Sequence, residues 1–278
     1  QLSGLMRRSH FRHGIGILLL GLFFSPLIGC EEKATDPGDP ADTTKTDTTD
    51  TTTTDTTKTD TTTNCLPAGY ELFTDDVTVT CDGDEIVIVA NGVPNHMSPY
   101  FDEADSRHAA YNGDNPQFRL NPNRIAEQNM TFRIPKNPQL DPNHEATPLG
   151  PIGISLNGVP FFNQYAAMRA PLTNEINSFD QYNGHPAQAG QYHYHIEPLY
   201  LTETEGKDGL LGFLLDGYPV YGPLENGTTL SSDDLDDYHG HEGTTADYPE
   251  GIYHYHITAD DPYLNGAGFY GLPGTVSR

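Results

Sequence analysis

The sequence has no tryptophan, only three cysteines and few cations: 14 Lys and Arg stand against 39 Asp and Glu, a formal charge of −25. From residue 66 onward eight bases face 30 acids. A surface that anionic repels phosphate backbones, which excludes nucleic acid as a partner. Long apolar runs are equally scarce. The one candidate, Ile15 to Ile28, is interrupted by Gly16, Gly21 and Pro26 and is too short for a comfortable membrane span. There is no G-x-S-x-G, no H-E-x-x-H and no Gly-rich phosphate loop, so the common hydrolase, zincin and nucleotide signatures are missing. Helical periodicity is also lacking.

What is present divides the chain. Met6 is followed by Arg7, Arg8 and Arg12 and then by the apolar run, the layout of a secretory signal. An uncleaved anchor is the rival reading. The run ends Leu27-Ile28-Gly29-Cys30, which resembles the lipobox of bacterial lipoproteins. The resemblance implies a signal peptide over 1–29, lipidation of Cys30 and a membrane partner through that lipid. Glu31 after the cysteine leans toward outer-membrane sorting or the cell surface. Residues 30–64 are near-repeats of Thr, Asp and Lys with almost no apolar side chains, so no core can offset the entropy of ordering them. They predict a solvated tether. Cys65 and Cys81 then form an even pair, and in an extracytoplasmic compartment the default is a disulfide. Two metal thiolates are the alternative, which the 16-residue spacing and the lack of any CxxC disfavour.

Residues 65–278 form the globular domain. Its apolar segments are short and β-rich: Val77 to Cys81, Glu85 to Ala90, Met130 to Ile134, Ile152 to Leu156, Leu210 to Leu215 and Ile252 to Ile257. Gly, Pro, Asn and Asp punctuate them. The pattern predicts an all-β, sandwich-like single domain with long loops and little helix. A small element recurs as Asn91-Gly92-Val93-Pro94, Asn157-Gly158-Val159-Pro160 and Asp216-Gly217-Tyr218-Pro219. Each follows an apolar strand, and each predicts a two-residue hairpin turn with positive φ at both turn residues.

Ten of the twelve histidines lie in this domain, and seven fall within residues 185–256. Gln191-Tyr192-His193-Tyr194-His195-Ile196 is matched by Ile252-Tyr253-His254-Tyr255-His256-Ile257, with His239-Gly240-His241 between them. In a strand, residues i and i+2 share a face. His193 with His195, and His254 with His256, therefore point one way while the tyrosines point the other. The Tyr/Ile face can pack in a core while the imidazoles line a cleft. If the two strands pair, four imidazoles meet.

These residues resemble the YHYH family of microbial proteins. Gly184-His185 precedes the first YHYH, Leu215 to Gly222 is similar to the family's DGxPxYG segment, and Gly240-His241 precedes the second YHYH. Gly92 to His96 and Leu156 to Val159 match upstream. Family members often carry Cys before the first Gly-His. Here Asp180-Gln181-Tyr182-Asn183 stands there, which removes any disulfide expected at that place. The resemblance identifies the domain and implies no established activity.

The residues themselves point to one transition-metal site, copper or zinc, drawn from His193, His195, His254, His256, His241, His239, His185 and His96, because imidazole without thiolate suits those ions. Met97 is a candidate soft ligand, and Asp216 and Glu242 are the nearest carboxylates by motif. Ser232 to Asp237 is an acidic turn without the spacing of a calcium loop. Three functions follow: a surface lipoprotein that holds metal; a metal-dependent hydrolase or oxidoreductase, with His241 or Glu242 as base and Tyr194 or Tyr255 as proton donor; or a structural surface protein in which YHYH is architecture. The loops 169–191 and 224–251 are long enough to shape a substrate cleft.

Overall fold

The computed structural model describes residues 65–144 and 146–278. The segments expected to be a signal, a lipidated Cys30 and a tether lie outside the described residues. In chain order the strands are β1 (Thr78–Asp82), β2 (Glu85–Ala90), β3 (Met130–Pro135), β4 (Pro151–Ser155), β5 (Pro160–Phe162), β6 (Gly184–Pro186) and β7 (Tyr192–Tyr194). They continue as β8 (Leu210–Leu214), β9 (Pro219–Tyr221), β10 (Leu224–Glu225), β11 (Thr228–Thr229), β12 (Gly240–Gly243), β13 (Ile252–His256) and β14 (Thr275–Ser277). Among the described residues one short α-helix, Leu199–Thr204, and a few 3₁₀ turns complete the inventory. No described helix is long and apolar enough to cross a membrane.

The architecture is the expected all-β sandwich. One sheet has the order β1-β2-β3-β14, a second has the order β12-β13-β9-β8-β4-β5-β7-β6, and β10-β11 form a small ribbon. All six segments read as strands from their apolar pattern are strands. β2 and β3 alternate strictly, and their inward residues Ile86, Ile88, Met130, Phe132 and Ile134 share one core with Ile152, Ile154, Phe161, Phe213 and Val220 of the larger sheet. β4 and β8 are buried along their whole length, as expected of strands covered on both faces.

Two of the three NG/DG elements are hairpin turns. Gly158 N–H donates to Ser155 O, and Gly217 N–H donates to Leu214 O, closing β4–β5 and β8–β9. Only the glycines take positive φ, 78° and 86°. The turns are therefore three-residue connections with a left-handed Gly after an i→i+3 bond, and not the two-residue form with positive φ at Asn or Asp. The element at Asn91 is not a hairpin. After it the chain leaves the sheet and returns as β3 only at Met130, and the Asn91 side chain caps a local turn by accepting Val93 N–H.

The larger sheet is built twice. A hairpin (β4–β5) is followed by a parallel neighbour (β7) and an antiparallel edge (β6); then a hairpin (β8–β9) is followed by β13 and β12 in the same relation. The halves meet where β4 pairs antiparallel with β8, so their ends face outward in opposite directions. The two YHYH strands consequently do not pair. Five strand-to-strand steps separate β7 from β13, roughly 24 Å at the usual spacing.

Cys65 and Cys81 are disulfide-bonded. The bridge ties the segment carrying Tyr70, whose ring stacks on Phe213 at 3.9 Å, to β1. Closing a loop of 16 residues is worth about 2–3 kcal/mol by restricting the unfolded chain. Cys65→Ala with Cys81→Ala is expected to lower the unfolding free energy by that amount in a denaturant titration; an unchanged midpoint would refute it.

Candidate metal centres

Each half of the sheet carries one cluster of three imidazoles and a carboxylate. His185, His193 and His195 gather with Glu175, and His241, His254 and His256 gather with Glu225. Within each set the ligand atoms lie within 4.8 Å of one another. The local sequence explains the placement. In β7 and β13 the i, i+2 alternation sends both histidines of each YHYH to one face. The antiparallel partner adds a third, since His185 is in register with His193 and His241 with His254. The glycine of each Gly-His pair makes that register possible: a Cβ on Gly184 or Gly240 would stand 2.3 or 2.6 Å from the ring carbon of Tyr192 or Tyr253.

The tyrosines face the core and hold the loops. Tyr192 hydroxyl donates to Asp180, and Tyr253 hydroxyl to Asp236. Each aspartate also accepts the backbone N–H groups two and four residues on, so the turn entering each Gly-His strand is fixed in the same way. Asp236 thus gives the acidic stretch a structural task.

The imidazole tautomers follow from their partners. His193 Nδ1–H donates to Gln191 O at 3.0 Å and His195 Nδ1–H to Asn163 O at 2.6 Å. A carbonyl only accepts, so Nδ1 carries the proton and Nε2 presents a lone pair. Ser178 hydroxyl donates to Glu175 O and so accepts from His185 Nδ1–H. In the other half His254 Nδ1–H donates to Ile252 O and His256 Nδ1–H to Gly222 O. The Nε2 atoms all turn inward. His193 Nε2 is 3.1 Å from His185 Nε2 and 3.0 Å from His195 Nε2. Glu175 Oε1 is 3.3 Å from His185 Nε2. Glu225 Oε1 is 3.5 Å from both His241 Nε2 and His254 Nε2. The Nε2 atoms of His241, His254 and His256 are buried with no hydrogen-bond partner.

Burial, reinforced by the neighbouring imidazoles, drives His193 well below the usual histidine range and His195 to about 4. Burial likewise lowers His254, and takes His256 to about 4. His193, His195, His254 and His256 are therefore neutral at neutral pH, each with an Nε2 lone pair. The arrangement could hold a cation: Nδ1 anchored to an acceptor, Nε2 converging, one carboxylate beside them. Most of these imidazoles are nearly enclosed, with His193, His195 and His256 each 2 % exposed, while His241 is about a third exposed.

Six of the eight histidines read from the sequence enter these clusters, and they form two sites where one was expected. His96 and His239 enter neither. His96 sits in the loop after β2, with Nε2 on Tyr194 hydroxyl and Nδ1 on Met97 O. His239 precedes β12 in a left-handed conformation, φ 76°, which breaks the alternation that His-Gly-His suggests; its ring bonds Ser232, Thr258 and His256 O. Tyr194 and Tyr255 point away from the imidazoles. Tyr194 hydroxyl meets His96 and Asn157, and Tyr255 hydroxyl meets Asp216. Neither is placed to hand a proton to a cluster. Glu242 pairs with Tyr253 across the ladder, on the face opposite His241. Asp216 lies in the hairpin turn, and Met97 is exposed.

Glu175 and Glu225 were not read from the sequence. They precede His185 and His241 by ten and sixteen residues, so no common spacing announces them. Glu175 begins a 3₁₀ turn and Glu225 ends β10, both within the long connections flanking the histidine strands.

A family model described as YHYH protein matches residues 131–232 and 225–267, which include every residue of both clusters. No curated protein and no solved structure matches the chain. The motif order, the duplicated histidine strands and this match together show that the chain belongs to the YHYH family.

Proposed function

We propose that this protein is a transition-metal-binding protein that holds two ions, zinc or copper, one in each cluster of three imidazoles and a glutamate. The observation that carries the reading is the inward convergence of Nε2 lone pairs at 3.0–3.1 Å with Nδ1 committed elsewhere. Facing lone pairs repel, and only an electrophile between them relieves this. Three nitrogens and one oxygen suit zinc in four-coordination, and copper(II) competes on affinity. Four protein ligands per site favour holding the ion over turnover. In keeping with the lipobox-like sequence, we place the domain outside the cytoplasm, anchored through Cys30 and held off the membrane by residues 31–64.

The test is metal content of the full chain, purified without a histidine tag and measured by mass spectrometry. Two equivalents are expected. His193→Ala with His195→Ala leaves one, His254→Ala with His256→Ala leaves one, and the four changes together leave none. A folded wild-type protein that takes up neither ion refutes the reading.

Ser178 separates the two sites further. It accepts from His185 Nδ1–H and thereby orients that ring. Ser178→Ala is expected to weaken the ion in its own site about 10- to 100-fold, with the other site unchanged, as read by competition with a coloured chelator. Equal weakening at both sites would contradict it.

A further inference from the structure

The two clusters are built from equivalent strands but not from equivalent surroundings. Aligning the halves on their hairpins places Phe162 of β5 opposite Tyr221 of β9. Aligning them on Asp180 and Asp236 places Phe179 opposite Leu235. In the first half the two phenylalanines wrap the imidazoles: Phe162 stacks on His193 at 3.9 Å, and Phe179 stacks on His195 at 5.7 Å and meets His185 edge-on at 4.8 Å. A smaller pocket of about 140 Å³ borders that cluster; Glu175, His193 and His195 line it, but the rest of its wall is apolar, with Leu149, Phe162, Ala166 and Ala167.

In the second half the Tyr221 ring stands farther off, 5.4 Å from His254 and 6.3 Å from His256. Its hydroxyl donates to Asp247 and accepts from Thr245. The cavity beside this cluster is about 330 Å³ and is lined by Asp208, Asn226, Thr244 and Thr245 as well as His254 and His256. That volume is within the range of small-molecule sites. The lining has an aspartate, a glutamate and hydroxyls but no lysine or arginine, so it repels anions and suits a small neutral molecule.

Resting on the two-ion reading, we infer that the sites have diverged: the ion held by Glu225, His241, His254 and His256 accepts a small neutral nitrogen- or oxygen-donor ligand from this cavity, while the ion held by Glu175, His185, His193 and His195 faces a smaller, apolar pocket that binds such a ligand far more weakly. The polar walls orient the incoming molecule by hydrogen bonds, whereas the smaller pocket at the first ion, walled by Leu149, Phe162, Ala166 and Ala167, has little polar surface to hold it.

The test uses the full chain loaded with cobalt(II) and titrated with imidazole, following the visible absorption of the metal. The spectrum of one cobalt of the two is expected to change. The response persists in the His193→Ala, His195→Ala protein and is absent in the His254→Ala, His256→Ala protein. On the otherwise intact chain, Thr244→Trp, at an exposed position on the cavity wall, is expected to keep both cobalt ions and weaken imidazole binding at least tenfold. A response from both sites, from neither, from the first alone, or one indifferent to Thr244→Trp overturns the inference while leaving two-ion binding intact. Failure to take up cobalt, zinc or copper overturns both readings.

Discussion

On the proposed two-ion reading, stripping the metal with a chelator is expected to lower the melting temperature by about 15–30 °C. An ion at a thousandfold excess over its dissociation constant contributes about 4 kcal/mol. The two sites are far apart along the sheet and share no ligands, so their contributions add, to about 8 kcal/mol. For a domain of this size each kcal/mol moves the midpoint by about 2–4 °C. The structural reason lies at the ends of the larger sheet. β6 and β12 are edge strands of three and four residues, too short to be secured by ladder bonds alone. Each cluster joins its edge strand to the neighbouring YHYH strand, and each glutamate adds a loop from outside the ladder. Removing the ions leaves two sets of inward lone pairs without a partner. Calorimetry with and without chelator checks this, and hydrogen exchange should show β6 and β12 losing protection first. A shift below about 3 °C in protein shown to have carried two ions would refute it.

The sequence made the histidine faces legible and concealed the number of clusters. Period-2 alternation is a local property, so the shared face of His193 and His195, and of His254 and His256, could be read directly. The same holds for the apolar strands from β1 to β4, β8 and β13. Which strands become neighbours is a long-range property. Here the antiparallel β4–β8 contact sets the two halves back to back and carries the YHYH strands apart, so that where one site drawn from eight histidines was expected there are two clusters of three. Strands of three residues that begin or end in proline, such as β5, β6 and β9, have too few positions to display a period. His239 shows the limit of local reading from the other side, since one left-handed residue before β12 cancels the alternation that two flanking letters suggest. The glutamates depend on loop paths that no local pattern encodes.

Asp216 separates the halves in a second way and gives the other large effect. It is fully buried in the second hairpin turn, where Asn157 stands in the first. Tyr255 hydroxyl and Gly271 N–H donate to its Oδ2, at 2.6 and 2.9 Å. These bonds favour the anion, but burial outweighs them and raises the carboxyl to about 6. A carboxyl raised on folding adds stability that is fully present below its unfolded value, near 4, and lost as pH rises through about 6. A rise of about two units amounts to about 3 kcal/mol. The buried histidines act in the opposite sense over an overlapping window: lowered to about 4 in the fold, His195 and His256 add stability above the ordinary histidine value that is lost as pH falls. The net profile of the wild type therefore conceals each contribution. The difference between wild type and Asp216→Asn removes every shared titration. Relative to wild type, Asp216→Asn is expected to gain about 2.5 kcal/mol as pH rises from 4 to 7, on top of a constant cost for the altered hydrogen bonds. Urea titrations at both pH values, at one fixed metal concentration, measure this. A difference that does not change with pH would mean that Asp216 titrates at its ordinary value, and that the buried turn solvates its charge as well as water does.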